Sequence, residues 1–167
     1  MSTLKNISVF SQRYNIATLI AAIVASIAAT TSAYLSVPPW VMFVGWVAYF
    51  TYPNTLSNTF SSMLCVCLGI LTGIIAAIGI GTLLPTIGTA AFGVVVFFVA
   101  IFVISLRGVP WLSNSAAWFL GLIMYFAAHV EPSIESLFPL FSMVIFGTIS
   151  GYIAHQMQLK VLLKQGK

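Results

Sequence analysis

Pro39-Trp40-Val41-Met42-Phe43-Val44-Gly45-Trp46-Val47-Ala48-Tyr49-Phe50-Thr51-Tyr52-Pro53 is the stretch on which the fold turns. No charged residue stands between Pro39 and Pro53. As a helix, residues 40–52 would rise only about 20 Å, whereas the hydrocarbon core of a bilayer is roughly 30 Å thick. The run is apolar enough for a membrane and too short to cross one unaided. It must borrow flanking residues, tilt, or lie in the membrane as a broken or re-entrant segment.

The rest of the chain makes the membrane the expected solvent. Of 167 residues, 60% are hydrophobic and 5% charged, and the mean hydropathy is +1.10. A soluble domain carries roughly a quarter charged residues. Six basic and two acidic side chains cannot furnish a water-facing surface. That excludes a soluble enzyme, a nucleic-acid binder and a disordered tail. The apolar runs are about twice as long as outer-membrane strands and do not alternate, which argues against a β-barrel.

Outward from the quoted stretch, five further apolar runs are expected to span. Residues 16–37 come first and stop at Pro38-Pro39, since proline removes a backbone donor and clashes with the preceding turn. After the polar turn at residues 53–59 come residues 60–80, with Gly79, Gly81 and Pro85 marking a loop. Residues 89–106 end at Arg107-Gly108, and residues 111–129 are interrupted early by Ser113-Asn114-Ser115. Residues 137–157 precede a basic tail with Lys160, Lys164 and Lys167. The expected fold is all-α: a polytopic membrane protein of six transmembrane helices, forming a single membrane domain over residues 1–167.

Charge placement sets the expected orientation. With the N-terminus in the cytoplasm and six crossings, Lys5, Arg13, Arg107, Lys160, Lys164 and Lys167 all lie inside, as the positive-inside rule requires. Glu131 and Glu135 share one outer loop. If residues 40–52 only dip into the membrane, Arg107 changes side unless a second segment also fails to cross. The N-terminal stretch has a basic start and a Thr31-Ser32-Ala33 site of the secretory-signal kind. Its apolar part, at about 18 residues, is longer than a usual signal core, so it reads as a retained signal-anchor helix. A mature N-terminus at Tyr34 would contradict that.

Two parts of the chain resemble each other. Pro39-Trp40, Tyr49-Phe50 and Gly69-x-x-Thr72-Gly73 are followed later by Pro110-Trp111, Tyr125-Phe126 and Gly147-x-x-Ser150-Gly151. The spacings differ by a few residues. Halves of about 15–81 and 87–158, with three spans each, would lie in opposite orientations, a 3+3 inverted repeat with interrupted second and fifth helices. Such segments at matching positions are the best sequence pointer to a transporter's binding site. The alternative is a duplicated scaffold with no pathway.

Small residues line helix faces. Ala21, Ala25 and Ala29 recur every fourth position in the first span, and Gly69, Gly73, Gly147 and Gly151 form two further pairs. Small faces let helices approach closely in lipid, where packing drives association. Beside the alanines, Thr18, Ser26 and Thr30 either pack or present hydroxyls to a polar pathway. Asn54, Asn58, Ser113 and Asn114 stand nearest the interrupted segments, as turn and cap chemistry or as pathway groups. Tyr49, Phe50, Trp118, Tyr125 and Phe126 join the candidate pathway as constricting or packing aromatics. Trp40, Trp111 and Tyr52 are expected at the interface. Cys65 and Cys67, two apart on a helix, point about 200° away from each other and read as small core residues. No Asp, Glu, Lys or Arg lies deep in a span, which disfavours ion coupling. His129 and His155 lie near span ends, where a hydrated histidine is expected. No metal-ligand spacing, nucleophile-base pair or phosphate loop appears, so no enzyme activity and no cofactor are expected.

Trp40, Phe43, Gly45, Ala48-Tyr49-Phe50 and Pro53 resemble the signature of the YcdZ-like bacterial inner-membrane family of unknown function (domain of unknown function 1097). Gly147-x-x-x-Gly151-Tyr152 resembles that family too, and length and span pattern agree. Members can carry glycines soon after the proline, whereas Asn54-Thr55 follows Pro53 here. The resemblance implies an inner-membrane location and transfers no activity. A weaker similarity, in the proline-tryptophan start and the following glycine-rich helix, is to the fusaric-acid and aromatic-acid efflux family and would imply organic-acid export. The expected function is a channel or facilitator for a small polar or neutral solute, uncoupled to ions. The alternatives are a membrane scaffold or accessory subunit, and an efflux protein. The expected partners are the lipid bilayer, an unknown small solute and further copies in a homo-oligomer, with no nucleic acid.

Overall fold

The computed structural model describes residues 12–52 and 55–163. Among these residues every regular element is helical: α1 Gln12–Tyr34, α2 Pro39–Phe50, α3 Leu56–Ile87, α4 Ala90–Ser105, α5 Ser115–Ala128 and α6 Ile134–Leu162. A 3-10 turn, Leu106–Gly108, closes α4. Four helices are long and apolar enough to cross a membrane: α1, α3, α4 with its closing turn, and α6. The chain is a multi-pass helical membrane protein by that measure. The other two, α2 and α5, are apolar but rise only about 18 Å and about 21 Å.

The helix starts follow local chemistry. Pro39 occupies the first turn of α2, where its missing N–H costs no helix bond. Thr55 and Ser133 cap α3 and α6, each hydroxyl accepting from the backbone N–H three residues on, at Asn58 and Ser136. Asn114 caps α5 in the same way through Ala117 N–H, at 3.1 Å. Glu135 in the first turn of α6 and Lys160 in its last suit the helix dipole.

Several expected boundaries are corrected. Gly79, Gly81 and Pro85 do not form a loop, because α3 continues through all three to Ile87. In lipid a broken helix leaves backbone groups without partners, so the helix persists where the same residues would end it in water. Thr82 and Thr86 hydroxyls donate to the Gly79 and Leu83 carbonyls around the proline. The stop comes at Gly88, whose φ of 59° favours glycine. Trp111 lies outside α5, which starts only at Ser115 behind its Asn114 cap. The sixth helix begins at Ile134 and runs to Leu162, longer at both ends than the expected 137–157.

The core is built by α2 on α6 and by α3 on α5. In both pairs the helices run parallel, since contacts advance together along them. Met42 lies at Gly147 and Tyr49 at Gly151, while Val66 lies at Gly121 and Gly73 at Tyr125. The two pairs use one contact. A Cβ on Gly45 would fall on the Val144 carbonyl and one on Gly147 on the Met42 carbonyl. Likewise a Cβ on Gly121 would fall on the Val66 carbonyl and one on Gly69 on the Trp118 carbonyl. Each pair is therefore a reciprocal glycine contact in which two backbones touch. Met42, Tyr49, Val66, Ile70, Met124 and Val144 fill the space around these contacts. Packed on the outside, α1 lies against α6 and α4 against α3. Both leave large apolar side chains uncovered, among them Leu19, Ile23 and Ile27, and Phe92, Phe97 and Phe98.

Candidate functional site

Three of the buried polar residues, Ser61, Ser62 and Asn114, meet where α2 ends and α5 begins. Asn114 stands beside Ser62, which lies about 9 Å along α3 from its start at Leu56, so α5 begins below the end of the bundle. A helix start recessed in this way needs partners from protein, because hydrocarbon offers none. Asn114 supplies them. Its Oδ1 accepts from Ala117 N–H, and its Nδ2 donates to Thr51 Oγ1 at 2.7 Å and to Ser62 Oγ at 2.8 Å. Thr51 passes its own proton to the Ala48 carbonyl at the end of α2. One side chain thus ties α2, α3 and α5 together. Ser61 donates to the Trp111 carbonyl at 2.9 Å, with the Cys65 thiol 3.7 Å from the same oxygen. Tyr52 and Ser113 hydroxyls meet at 2.8 Å, and Trp118 Nε1 donates to the Leu112 carbonyl. Asn114 is 3% exposed and Ser62 fully buried, whereas Thr51, Tyr52 and Ser113 are half-buried. Among the described residues no buried side-chain nitrogen or oxygen lacks a hydrogen-bond partner.

A second polar contact joins α2 to α6. The Tyr49 hydroxyl lies 2.7 Å from His155 Nδ1, and Tyr152 and Phe50 set ring edges against the pair. Tyr49 is 1% exposed. His155 is half-buried and bonded to protein, which corrects the expectation of a hydrated interfacial histidine. Three residues further along α6, Gln158 donates to the Ala17 carbonyl of α1.

Of the expected pathway residues, Asn114, Ser113 and Trp118 come together at the α5 start, with Tyr49 on the neighbouring helix. Tyr125 is buried against Gly73 on the α3–α5 pair. Phe50 and Phe126 are exposed. Thr18, Ser26 and Thr30 point outward from α1, whose buried positions are Ala17, Ala28 and Ser32, with Ala21, Ala25 and Ala29 half-buried. Asn58 is half-buried in the first turn of α3, where its backbone N–H donates to the Thr55 cap. Asn54 lies outside the described residues. Trp40 and Trp111 are exposed, Cys65 is buried and Cys67 is half-buried. Thr51, Tyr52, Ser61 and Ser62 were not among the expected site residues. For Ser61 and Ser62 the signal was two adjacent serines just inside α3, but the partner that gives them meaning is about fifty residues away.

Two open, mainly apolar grooves flank this core. One of about 300 Å³ lies between α3 and α6, bordered by Phe60, Met63, Ile145, Thr148 and Tyr152. The other, about 310 Å³, lies between α3 and α4 around Ile75, Phe98 and Phe102. No expected pathway residue borders either groove. Among the described residues no three His, Cys, Asp or Glu side chains gather as metal ligands would.

A long-helix bundle with recessed short helices and a satisfied buried polar knot defines a polytopic α-helical membrane protein. The chain belongs to the family described as "Protein of unknown function (DUF1097)", which it matches over residues 18–158. That agrees with the family expected from the Trp40–Pro53 signature, although the match does not carry the YcdZ-like label. No curated protein and no solved structure matches the chain.

Proposed function

We propose that this protein is an uncoupled facilitator for a small polar or neutral solute in the bacterial inner membrane. The observation that carries the reading is the pair of short apolar helices, α2 and α5, meeting end to start over hydroxyl and amide groups held below the bundle's end. Interrupted segments at matching places are what transporters use to present polar groups at depth. This takes the chain as a 3+3 inverted repeat in which all six segments cross, α2 and α5 with the help of their flanking residues. Its support is the shared reciprocal glycine contact, with Gly45 answering to Gly121 and Gly69 to Gly147. The caps agree as well, since Thr55 answers to Ser133.

Both termini are assigned to the cytoplasm. The Gln158–Ala17, Tyr49–His155 and Asn114–Thr51 bonds connect the start of α1, the end of α6, the end of α2 and the start of α5. Arg13, Arg107 and Lys160 therefore belong to one end of the bundle, with Glu131 and Glu135 in the connection at the opposite end, the charge bias of a positive-inside protein. The uncovered apolar faces of α1 and α4 suit lipid and further copies of the chain, so a homo-oligomer is part of the reading. No catalytic step and no cofactor enter it.

Liposomes carrying the purified protein should take up small neutral or weakly ionised solutes faster than empty liposomes. Equal rates across such a panel would overturn the facilitator. The second reading, a non-transporting scaffold or accessory subunit, is favoured by the filled interior, in which Met42, Tyr49, Ile70 and Met124 are fully buried. A reproducible co-purifying partner together with equal flux would select it.

A further inference from the structure

The two ends of the short helices are held by different chemistry. At the basic end Asn114 bonds Thr51 and Ser62, and Tyr52 bonds Ser113. Carried across the correspondence of Gly45 with Gly121 and Gly69 with Gly147, the places of Asn114, Thr51 and Ser62 fall at the other end on Pro38, Ala127 and Leu140. None of those three side chains has a donor or an acceptor. Leu140 is 5% exposed and belongs to the same buried apolar cluster as Val37 and Val144.

The difference decides which end yields. Hydrogen bonds between protein groups exchange for bonds to water at little net cost when water is within reach. Thr51, Tyr52 and Ser113 are half-buried and border the Asn114 network on the side of the basic end, the side from which water would reach it. Parting Leu140 from its neighbours instead exposes apolar surface, for which water offers no replacement. We infer that the Asn114 network is a gate: the α2–α5 junction opens at the basic end and admits water to Ser62 and Cys65, while the opposite end stays closed by the apolar packing of Leu140. That opposite end's one buried side-chain bond among the described residues, Ser32 to the Val37 carbonyl, lies within the α1–α2 turn and joins no other helix. The inference rests on the inverted-repeat reading above and not on any transported solute.

The protein contains its own reporter. Cys65 is fully buried, directly beneath the network at the Trp111 carbonyl. Its counterpart in the other half is Met143, 7% exposed. In nanodiscs, which leave both ends open to water, a membrane-impermeant methanethiosulfonate is applied to Cys67→Ser protein, where Cys65 is the single thiol. The same reagent is applied to Met143→Cys in a Cys65→Ser, Cys67→Ser background. Cys65 should react about ten-fold faster than the thiol introduced by Met143→Cys if the polar end opens more readily. Asn114→Ala should raise the Cys65 rate further. Ser62→Leu combined with Thr51→Val, which gives the basic end the chemistry of the other, should lower it. Equal rates at Cys65 and at Met143→Cys, or a Cys65 rate unmoved by the Ser62→Leu and Thr51→Val pair, would overturn the gate. Thiol access does not depend on solute, so a failed gate with intact liposome flux leaves the facilitator standing, and the reverse outcome leaves the gate standing.

Discussion

The α2–α6 and α3–α5 pairs share a backbone contact and differ in what surrounds it. In both, two glycines are set against carbonyl oxygens of the facing helix, so the helix axes come as close as polypeptide allows. One turn further on, the chemistry parts. Gly151 leaves ordinary contact distance to the Tyr49 ring, 3.4 Å, whereas at Gly73 a Cβ would stand 2.9 Å from Tyr125 Cβ. Tyr49 bonds His155, but the corresponding position beside Tyr125 is Ala77. The shared part is steric and fixes helix separation. The divergent part is polar: Tyr49 and His155 meet toward the basic end, and at the contact itself the Thr148 hydroxyl reaches the Gly45 carbonyl where the matching position is Ile70. The glycine contacts hold the two pairs to one geometry, and the side chains around them differ within it.

Substitutions at the glycines test the steric half of that comparison with the largest expected effect. Gly45→Ala, Gly69→Ala, Gly121→Ala and Gly147→Ala each place a methyl on a backbone carbonyl that cannot move aside alone. Each should destabilise by about 3 kcal/mol, the upper end of overpacking costs. Gly73→Ala should cost less, and Gly151→Ala least, because its neighbours already stand at contact distance. Thermal unfolding in detergent reads the series, and a Gly147→Ala protein as stable as Gly151→Ala would refute the reciprocal contact.

The polar half comes next. Asn114→Ala removes the α5 cap and both Nδ2 bonds, leaving Ser62 without its amide partner. A loss of about 2 kcal/mol is expected from a cap and buried hydrogen bonds together. Asn114→Ser keeps a capping oxygen and loses the amide donors to Thr51 and Ser62, so it should fall between wild type and Asn114→Ala if both functions count. Equal stability of all three would show the network to be decoration.

The smallest expected effect separates the two tyrosines. Tyr49→Phe loses a hydrogen bond to a half-buried imidazole and should cost about 1 kcal/mol. Tyr125→Phe should cost measurably less, since no histidine stands opposite it. A Tyr125→Phe loss as large as that of Tyr49→Phe would mean that the halves are chemically more alike than Ala77 and His155 imply.

How far the sequence foretells this structure depends on where each residue's partner lies. Asn114 is legible as a cap because the N–H it accepts from belongs to Ala117, three residues away. The glycine spacings at 69/73 and 147/151 are legible because a four-residue period marks one helix face. Gly45 and Gly121 carry no such period, so the resemblance between the two stretches is read from Pro39-Trp40 and Pro110-Trp111, with uneven spacings. What makes those two glycines necessary is a carbonyl on another helix, and for Gly45 that carbonyl belongs to Val144, far along the chain. Thr18, Ser26 and Thr30 read as pathway residues from their shared face, yet the buried positions of α1 are Ala17, Ala28 and Ser32.

By itself, the sequence determined the solvent and the class of fold. With 5% charge and long apolar runs, a chain has no alternative to satisfying its backbone as helices in lipid. It also marked the second run as too short to cross unaided and the fifth as interrupted near Asn114, because Pro39 and Asn114 act on the backbone beside them. Only the tertiary structure decided which faces meet, that both core pairs run parallel on glycine contacts, and that Asn114, Thr51 and Ser62 close a single network. Those outcomes depend on close packing between segments distant in the chain. A helical period shows which residues share a face, and does not show what that face will touch.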